Sequence, residues 1–148
     1  MPEIQSIPVP PTVSSSLILI RPLSLDRNPA AVYIASLALG SRRTMRQALR
    51  VMAEFLTGGR ATVSTLDWSA VRYQHTAALR SALAAKYSPA IVNKMLAALR
   101  RVLKEAWRLG QMDAESYHRA ADVQTIKATT LPRGRALSSG ELQALFRV

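Results

Sequence analysis

The residues of this sequence that could do chemistry are arginines, and they crowd the beginning of a helical pattern. The stretch GSRRTMRQALRVMAEFLTGG places Arg42, Arg43 and Arg46 within its first turns. A helix N-terminus is already positive, so further cations there are unfavourable unless an anion binds. A phosphate at this end would meet backbone N–H groups, the hydroxyl of Ser41 or Thr44, and the guanidinium groups. The stretch therefore predicts a phosphate-binding helix end.

The overall charge favours the same kind of ligand. The chain has 148 residues, with 20 Lys and Arg against 9 Asp and Glu and a formal net charge of +11. Only four of these cations are lysines. Because a guanidinium group is a planar fork that can bind two phosphate oxygens at once, the bias toward arginine favours contact with a polyanion.

Composition argues against several other kinds of site. The chain has no Cys and only two isolated His, so we predict no disulfide, no metal site and no cofactor. The longest aliphatic run, LILI, is four residues long, and no membrane-spanning segment is expected from it. The absence of Cys fits a reducing compartment, so we expect a cytoplasmic protein.

Helix start and stop signals repeat along the chain and predict the elements that position these arginines. Asn28, Ser41 and Ser88 are expected N-caps, and Gly40 and Gly58 are expected helix ends. No segment alternates apolar and polar residues as a strand would, so we predict an all-α fold, a small bundle of four to five helices with an extended N-terminal arm. With their caps, the predicted helices cover residues 28–40, 41–58, 69–86, 88–110 and 113–121.

The fourth predicted helix has one apolar face and one basic face. The apolar stripe is assigned to the core and consists of Val92, Met95, Leu96, Leu99, Val102, Leu103 and Ala106. The opposite side carries five cations, and only Glu105 balances them, whereas a solvated face usually mixes both signs. Ala97 would let this side approach a groove closely, and Asn93 could read a base edge. We therefore interpret it as a nucleic-acid-binding face.

Taken in order, four segments resemble the core-binding domain of tyrosine recombinases, the phage-integrase family. They are a Ser-x-x-Thr helix start in SRRTMRQALRVMAEFL, a helix with a basic end, a capped helix ending in EAWRLG, and a basic linker before Leu-Ser-x-x-Glu in TLPRGRALSSGELQALF. The resemblance covers residues 28–148. It implies a SAM-like helical domain that clamps one face of the recombination-site duplex, while a separate C-terminal catalytic domain clamps the other.

This resemblance also implies how the chain is organised. Residues 1–27 have no net charge and hold five of the eight prolines, so we interpret them as an extended or disordered arm. Residues 28–121 are the expected helical DNA-binding domain, and residues 122–137 the basic interdomain linker. Residues 138–148 are expected to be the truncated start of the catalytic domain.

The family cleaves DNA strands with a Tyr nucleophile assisted by Arg, Lys and His, but this chain lacks the motifs for that reaction. The His-x-x-Arg motif is absent, because Ala78 stands three residues after His75. The same spacing after His118 leads to Ala121. We therefore expect no catalytic residue in this chain and assign catalysis to a longer parent recombinase. The tyrosines are interpreted as packing or snorkelling residues and not as nucleophiles; they are Tyr33, Tyr73, Tyr87 and Tyr117.

The expected partners are double-stranded DNA, the catalytic domain of the parent protein, and other recombinase subunits in a tetramer on DNA. Two alternatives stay open: a stand-alone helical DNA-binding regulator, and a helical protein-interaction domain whose basic face only adds solubility. The residues predicted to contact DNA are Ser41, Arg42, Arg43, Thr44, Arg46, Arg72, Asn93, Lys94, Arg100, Arg101, Lys104, Arg108, Arg133 and Arg135.

A phosphate-binding role for the first arginines has a consequence for stability. If Arg42 and Arg43 serve only to bind phosphate, replacing both by Glu should leave the isolated protein as stable as before, or slightly more stable. The reason is that carboxylates suit a helix N-terminus, where each such interaction contributes about 0.3–1 kcal/mol.

Overall fold

The protein is all-α across the part of the chain that its structure describes. The structure is a computed structural model, and it describes residues 17–127. Within them lie five α-helices and no named strand, which confirms the predicted fold class. One short 3₁₀ turn, Trp68–Ala70, precedes the third helix. The helices are α1 (Pro29–Ala35), α2 (Leu39–Thr57), α3 (Tyr73–Lys86), α4 (Pro89–Arg108) and α5 (Ala114–Ala121).

The boundary between α1 and α2 differs from the predicted one. The N-cap of α1 is as predicted, because the Asn28 side chain accepts hydrogen bonds from the two N–H groups of Ala30 and Ala31. The helix ends early, at a turn where both the N–H and the hydroxyl of Ser36 donate to carbonyls of the last turn. Because α2 then begins at Leu39, the predictions that Gly40 ends α1 and that Ser41 caps α2 are wrong.

Most of the other predicted helix caps and helix ends agree with the structure. Ser88 caps α4, and Gly58 takes the left-handed conformation that ends α2, both as predicted. Asp113, the first residue of the fifth predicted helix, is the N-cap of α5. The third helix starts later than expected, at Tyr73. Trp68 and Val71 are both fully buried, and anchoring them bends the chain before regular helix can begin.

Helix α4 lies at the centre of the bundle and packs against each of the other four helices. Its predicted apolar stripe is confirmed, because every member is 5% exposed or less. Burying that stripe removes seven apolar side chains from water and is the largest hydrophobic contribution of any one helix. No helix within residues 17–127 is both long and apolar enough to span a membrane.

The last part of the expected N-terminal arm belongs to the folded unit. Leu17 is fully buried, and its carbonyl accepts a hydrogen bond from the N–H of Asp67 at 2.7 Å. The N–H of Leu19 donates to the carbonyl of Thr65 at 2.8 Å, so the two segments pair as a short antiparallel bridge. The arm expected over residues 1–27 therefore does not extend to residue 27, and residues 1–16 lie outside the described part.

This packing predicts different effects for two neighbouring aliphatic residues. Leu17→Ala should lower the free energy of unfolding by about 2–4 kcal/mol, because it opens a cavity in the core. Ile20→Ala is the matched control, since Ile20 is 99% exposed, and it should change stability by less than about 0.5 kcal/mol. Urea unfolding followed by circular dichroism measures the free energy of unfolding of both variants. Small and equal changes in the two variants would contradict the contribution of Leu17 to the core.

Candidate nucleic-acid interface

The structure divides the arginine cluster of α2 between two sides of the helix. Arg43 and Thr44 line a groove between α2 and α4, together with Lys94 of α4. We call this the α2–α4 groove; its volume is about 580 Å³. Arg42 and Arg46 line a different groove, next to α1. The predicted set of residues at the helix start is therefore not one phosphate site.

Arg42 has an intramolecular role that the sequence did not indicate. Its Nε donates to the carbonyl of Leu37 and its Nη2 to the carbonyl of Ala35, each at 3.1 Å. Ala35 is the last residue of α1, and Leu37 lies two residues beyond it. At this end of a helix the carbonyls lack partners within the helix, and the helix dipole is negative. The guanidinium group thus caps α1 and ties it to α2, which corrects the expectation that it serves only phosphate.

The revised helix start also changes the dipole argument. Because α2 begins at Leu39, the backbone N–H groups that have no partner within the helix lie in its first turn, and this turn precedes Arg42 and Arg43. Ser41 lies inside that turn and is not the N-cap. The dipole therefore repels these arginines less than the sequence had indicated.

The α2–α4 groove is basic along its rim and apolar at its base. Arg43 and Lys94 stand on opposite helices, and Gln47 adds an amide on the α2 side. None of the described residues that line the groove is Asp or Glu. An anion there meets two cations and neutral hydrogen-bonding groups from Thr44 and Gln47.

Beyond the groove, the side of α4 that carries Lys94 stays exposed toward the end of the helix. Arg101 and Arg108 are about half exposed, Lys104 is partly exposed, and the small side chain of Ala97 lies among them. From Lys94 to Arg108 this side runs for about 21 Å, given a rise of about 1.5 Å per residue. These residues, together with Arg43 and Thr44, form what we call the basic face.

One carboxylate lies beneath two of these cations. Glu105 is 7% exposed at its side chain, and its Oε2 is 3.2 Å from Arg101 Nη2 and 3.2 Å from Arg108 Nη1. Because both arginines reach inward to the same oxygen, their positions on the helix surface are restrained. The buried charge is compensated, while the outward surface stays cationic.

Arg101 also connects the basic face to α1. Its guanidinium carbon lies 5.6 Å from the centre of the Tyr33 ring, within the range of a cation–π contact. Burial raises the pKa of Tyr33, and the nearby Arg101 opposes this effect in part. The phenol therefore stays neutral at physiological pH, and Tyr33 serves packing, as the sequence predicted.

Asn93 and Arg100 are engaged inside the protein instead of facing a ligand. The Asn93 amide donates to the carbonyl of Ile126 and accepts from its N–H, at 2.9 and 2.7 Å. Arg100 donates to the carbonyls of Ala121 and Val123. We therefore correct the interpretation of Asn93 as a base-reading residue, because both ends of its amide already hold the chain that follows α5.

Arg80 completes this attachment and was missed in the sequence. Its guanidinium donates to the carbonyls of Gln124 and Thr125 at 2.7 and 3.2 Å. The partners are backbone atoms more than forty positions away, and a backbone carbonyl leaves no signal in the residue pattern. Hydrogen bonds from side chains of α3 and α4 therefore hold residues 122–127 against the bundle, although this segment was expected to be part of the interdomain linker.

Arg72 also lies away from the basic face. Its Nη1 donates to the carbonyls of Ser69 and Val71, at 2.8 and 3.0 Å, at the start of α3. Its backbone N–H donates to Nδ1 of His75, and burial, followed by the charge of Arg72, lowers the pKa of that imidazole. The remaining predicted site residues, Arg133 and Arg135, lie outside the described residues.

Among the described residues, the aromatic side chain that lines the α2–α4 groove is Tyr87, which is partly exposed and has Lys86 Nζ 5.5 Å from its ring centre. Trp68 is buried, and its Nε1 donates to the carbonyl of Val63. Trp107 is 39% exposed and stacks on Tyr117, with ring centres 5.7 Å apart. Tyr73 is 53% exposed, so of the two expected roles it fits a snorkelling residue and not a packing residue.

Comparison of the chain with protein-family models, with curated proteins and with solved structures finds no match. Within residues 17–127 no three His, Asp or Glu side chains are grouped so as to hold a metal ion. Function must therefore be argued from the arrangement of the basic side chains themselves.

The two arginines at the start of α2 should now behave differently. Arg42→Glu should lower the free energy of unfolding by about 1–3 kcal/mol, because it removes two hydrogen bonds and places a carboxylate beside carbonyls. Arg43→Glu is the matched control and should change it by less than about 0.5 kcal/mol, because Arg43 is exposed. Thermal unfolding measures both, and an unchanged Arg42→Glu variant would contradict the capping role.

Proposed function

We propose that this chain binds double-stranded DNA through its basic face. The observation that carries the proposal is the convergence of Arg43 from α2 and Lys94 from α4 on one groove whose described lining residues include no Asp or Glu. Beyond the groove, Arg101 and Arg108 follow Lys94 at intervals of seven residues on the same side of α4, with Lys104 beside them. Cations from two helices on one continuous surface match the phosphates of a duplex better than those of a small anion.

The dimensions of the basic face fit a duplex. A duplex carries one negative charge per about 1.7 Å of its axis, so about 21 Å of α4 faces many phosphates at once. The major groove is about 12 Å wide and admits a helix, and Ala97 at the middle of the face allows close approach. Contacts to phosphate dominate this arrangement, because Asn93 is occupied elsewhere.

The resemblance to tyrosine recombinases supports a more specific role within this proposal. In that role the chain is the core-binding half of a recombinase and clamps a recombination-site duplex. Strand cleavage belongs to a separate catalytic domain, and the assembly on DNA is a tetramer of recombinase subunits. The all-α architecture is compatible with this role, and the order of the sequence segments supports it, although the Ser-x-x-Thr segment lies inside α2 and not at its N-cap.

The test compares two charge reversals of equal size. Lys94→Glu with Lys104→Glu changes the basic face, and Arg46→Glu with Arg50→Glu changes exposed arginines of α2 that line the groove next to α1. Only the first pair should strongly weaken duplex binding, measured by fluorescence anisotropy. The slope of log affinity against log salt should also shrink by about 0.9 for each phosphate that the protein no longer neutralises.

Circular dichroism must show that both variants keep their helices, since the comparison concerns folded protein. Equal losses of affinity for the two pairs would mean that total charge, not the basic face, attracts DNA. An unchanged affinity in the first pair would end the proposal. Preference for one duplex sequence over scrambled duplexes would separate a recombination-site domain from a general DNA-binding protein.

A further inference from the structure

A second groove, next to α1, has no described lining residue in common with the α2–α4 groove and plays no part in the proposed DNA contact. It runs between α1 and α2, is closed at one end by residues 62–64, and has a volume of about 850 Å³. We call it the α1–α2 groove. Its base is formed by aliphatic side chains, including Val32, Ala35 and Val63. Leu25 on its rim is 79% exposed.

One wall of the α1–α2 groove is a row of arginines. Arg42, Arg46 and Arg50 follow one another at intervals of four residues along α2, so they span about 12 Å. The hydrogen bonds from Arg42 to the end of α1 fix this wall relative to the aliphatic base. The groove therefore combines a row of positive charge with apolar surface beside it.

The only carboxylate among the described residues of this groove is Asp26. It accepts a hydrogen bond from the Ser24 hydroxyl at 2.7 Å, and that bond is the main reason that its pKa is lowered. Asp26 therefore stays ionised near neutral pH. Against the three arginines, it leaves the groove with a net positive charge.

Nucleic acid is a poor match for this groove. Phosphates and sugars gain little from an aliphatic base, and unpaired bases bind single-stranded sites mainly by stacking on aromatic rings. None of the described residues that line the groove is aromatic. The apolar area beside the arginines is better matched by apolar side chains of a protein segment.

A second copy of the chain is also a poor match. A symmetric contact would place the same arginine row opposite itself, in a protein with a net charge of +11. Repulsion between those rows opposes such a dimer. The charge of the groove calls for an occupant that is acidic as well as apolar.

We infer that the α1–α2 groove binds an amphipathic acidic segment of a partner protein. An amphipathic helix would place its apolar stripe over Val32, Ala35 and Leu25. Carboxylates spaced four residues apart on one flank would then match the spacing of Arg42, Arg46 and Arg50. The α1–α2 groove shares no described lining residue with the α2–α4 groove, so the chain has separate surfaces for a polyanion and for a protein partner.

The experiment uses fluorescent helical peptides of about 18 residues, or five turns, and the full 148-residue chain. The first peptide has a Leu stripe flanked by Glu, the second replaces Glu by Gln, and the third replaces Leu by Ser. Fluorescence anisotropy should show binding of the first peptide. Each of the other two should bind at least about tenfold more weakly, because each lacks one half of the match.

Three variants locate the binding on the protein. Arg46→Glu with Arg50→Glu should weaken the first peptide by at least about tenfold, and so should Leu25→Asp. The matched control, Lys94→Glu with Lys104→Glu, removes the same charge from the basic face and should weaken the peptide by less than about threefold. All three sites are at the surface, and thermal unfolding checks that the variants stay folded.

Each contrary result identifies a different error. Equal losses in the two charge-reversal pairs, or full binding of the Ser peptide, would mean attraction by charge alone. Loss of duplex binding in Leu25→Asp would assign the groove to nucleic acid. Concentration-dependent dimerisation that Leu25→Asp abolishes would assign it to a second copy. Failure of the first peptide to bind overturns the inference but leaves the proposed DNA contact unaffected, since that contact depends on other residues.

Discussion

Helix α4 contacts α1, α2, α3 and α5, so the position of every other described helix depends on the burial of its apolar stripe. That stripe covers one side only, and the remaining side carries the cations of the basic face. The same helix therefore supplies the centre of the core and the surface proposed to bind DNA. A substitution in the stripe, such as at Leu99, would disturb both, because the cations are positioned by the packing beneath them.

Arginine has two physical roles in this protein. Arg42, Arg72, Arg80 and Arg100 donate to backbone carbonyls at a helix end or in an irregular segment, where acceptors have no regular partner. Others, such as Arg43, Arg46 and Arg108, lie at the surface. The high net charge is thus only partly a measure of affinity for polyanions, because some guanidinium groups hold the fold together.

Helix α2 separates two surfaces of different character. The α2–α4 groove has cations from two helices and no Asp or Glu among its described lining residues, while the α1–α2 groove sets one row of arginines beside aliphatic side chains. This difference decides which ligand suits each surface. Phosphate needs charge and hydrogen bonds alone, whereas an apolar base stabilises only a ligand that also removes apolar area from water. The capping role of Arg42 fixes the distance between α1 and α2, on which the second groove depends.

Sequence alone determined the fold class, the apolar stripe of α4, and the N-caps Asn28 and Ser88, because periodicity and capping are local properties of neighbouring residues. It also located a basic side of α4 that the structure leaves largely exposed. Only the tertiary structure decided which cations remain at the surface. The partners of Arg42, Asn93 and Arg100 are backbone atoms in other segments, and a backbone carbonyl has no residue type that a pattern could reveal. The burial of Leu17 could not be predicted from the sequence for the same reason, because its segment pairs with backbone groups of a distant turn.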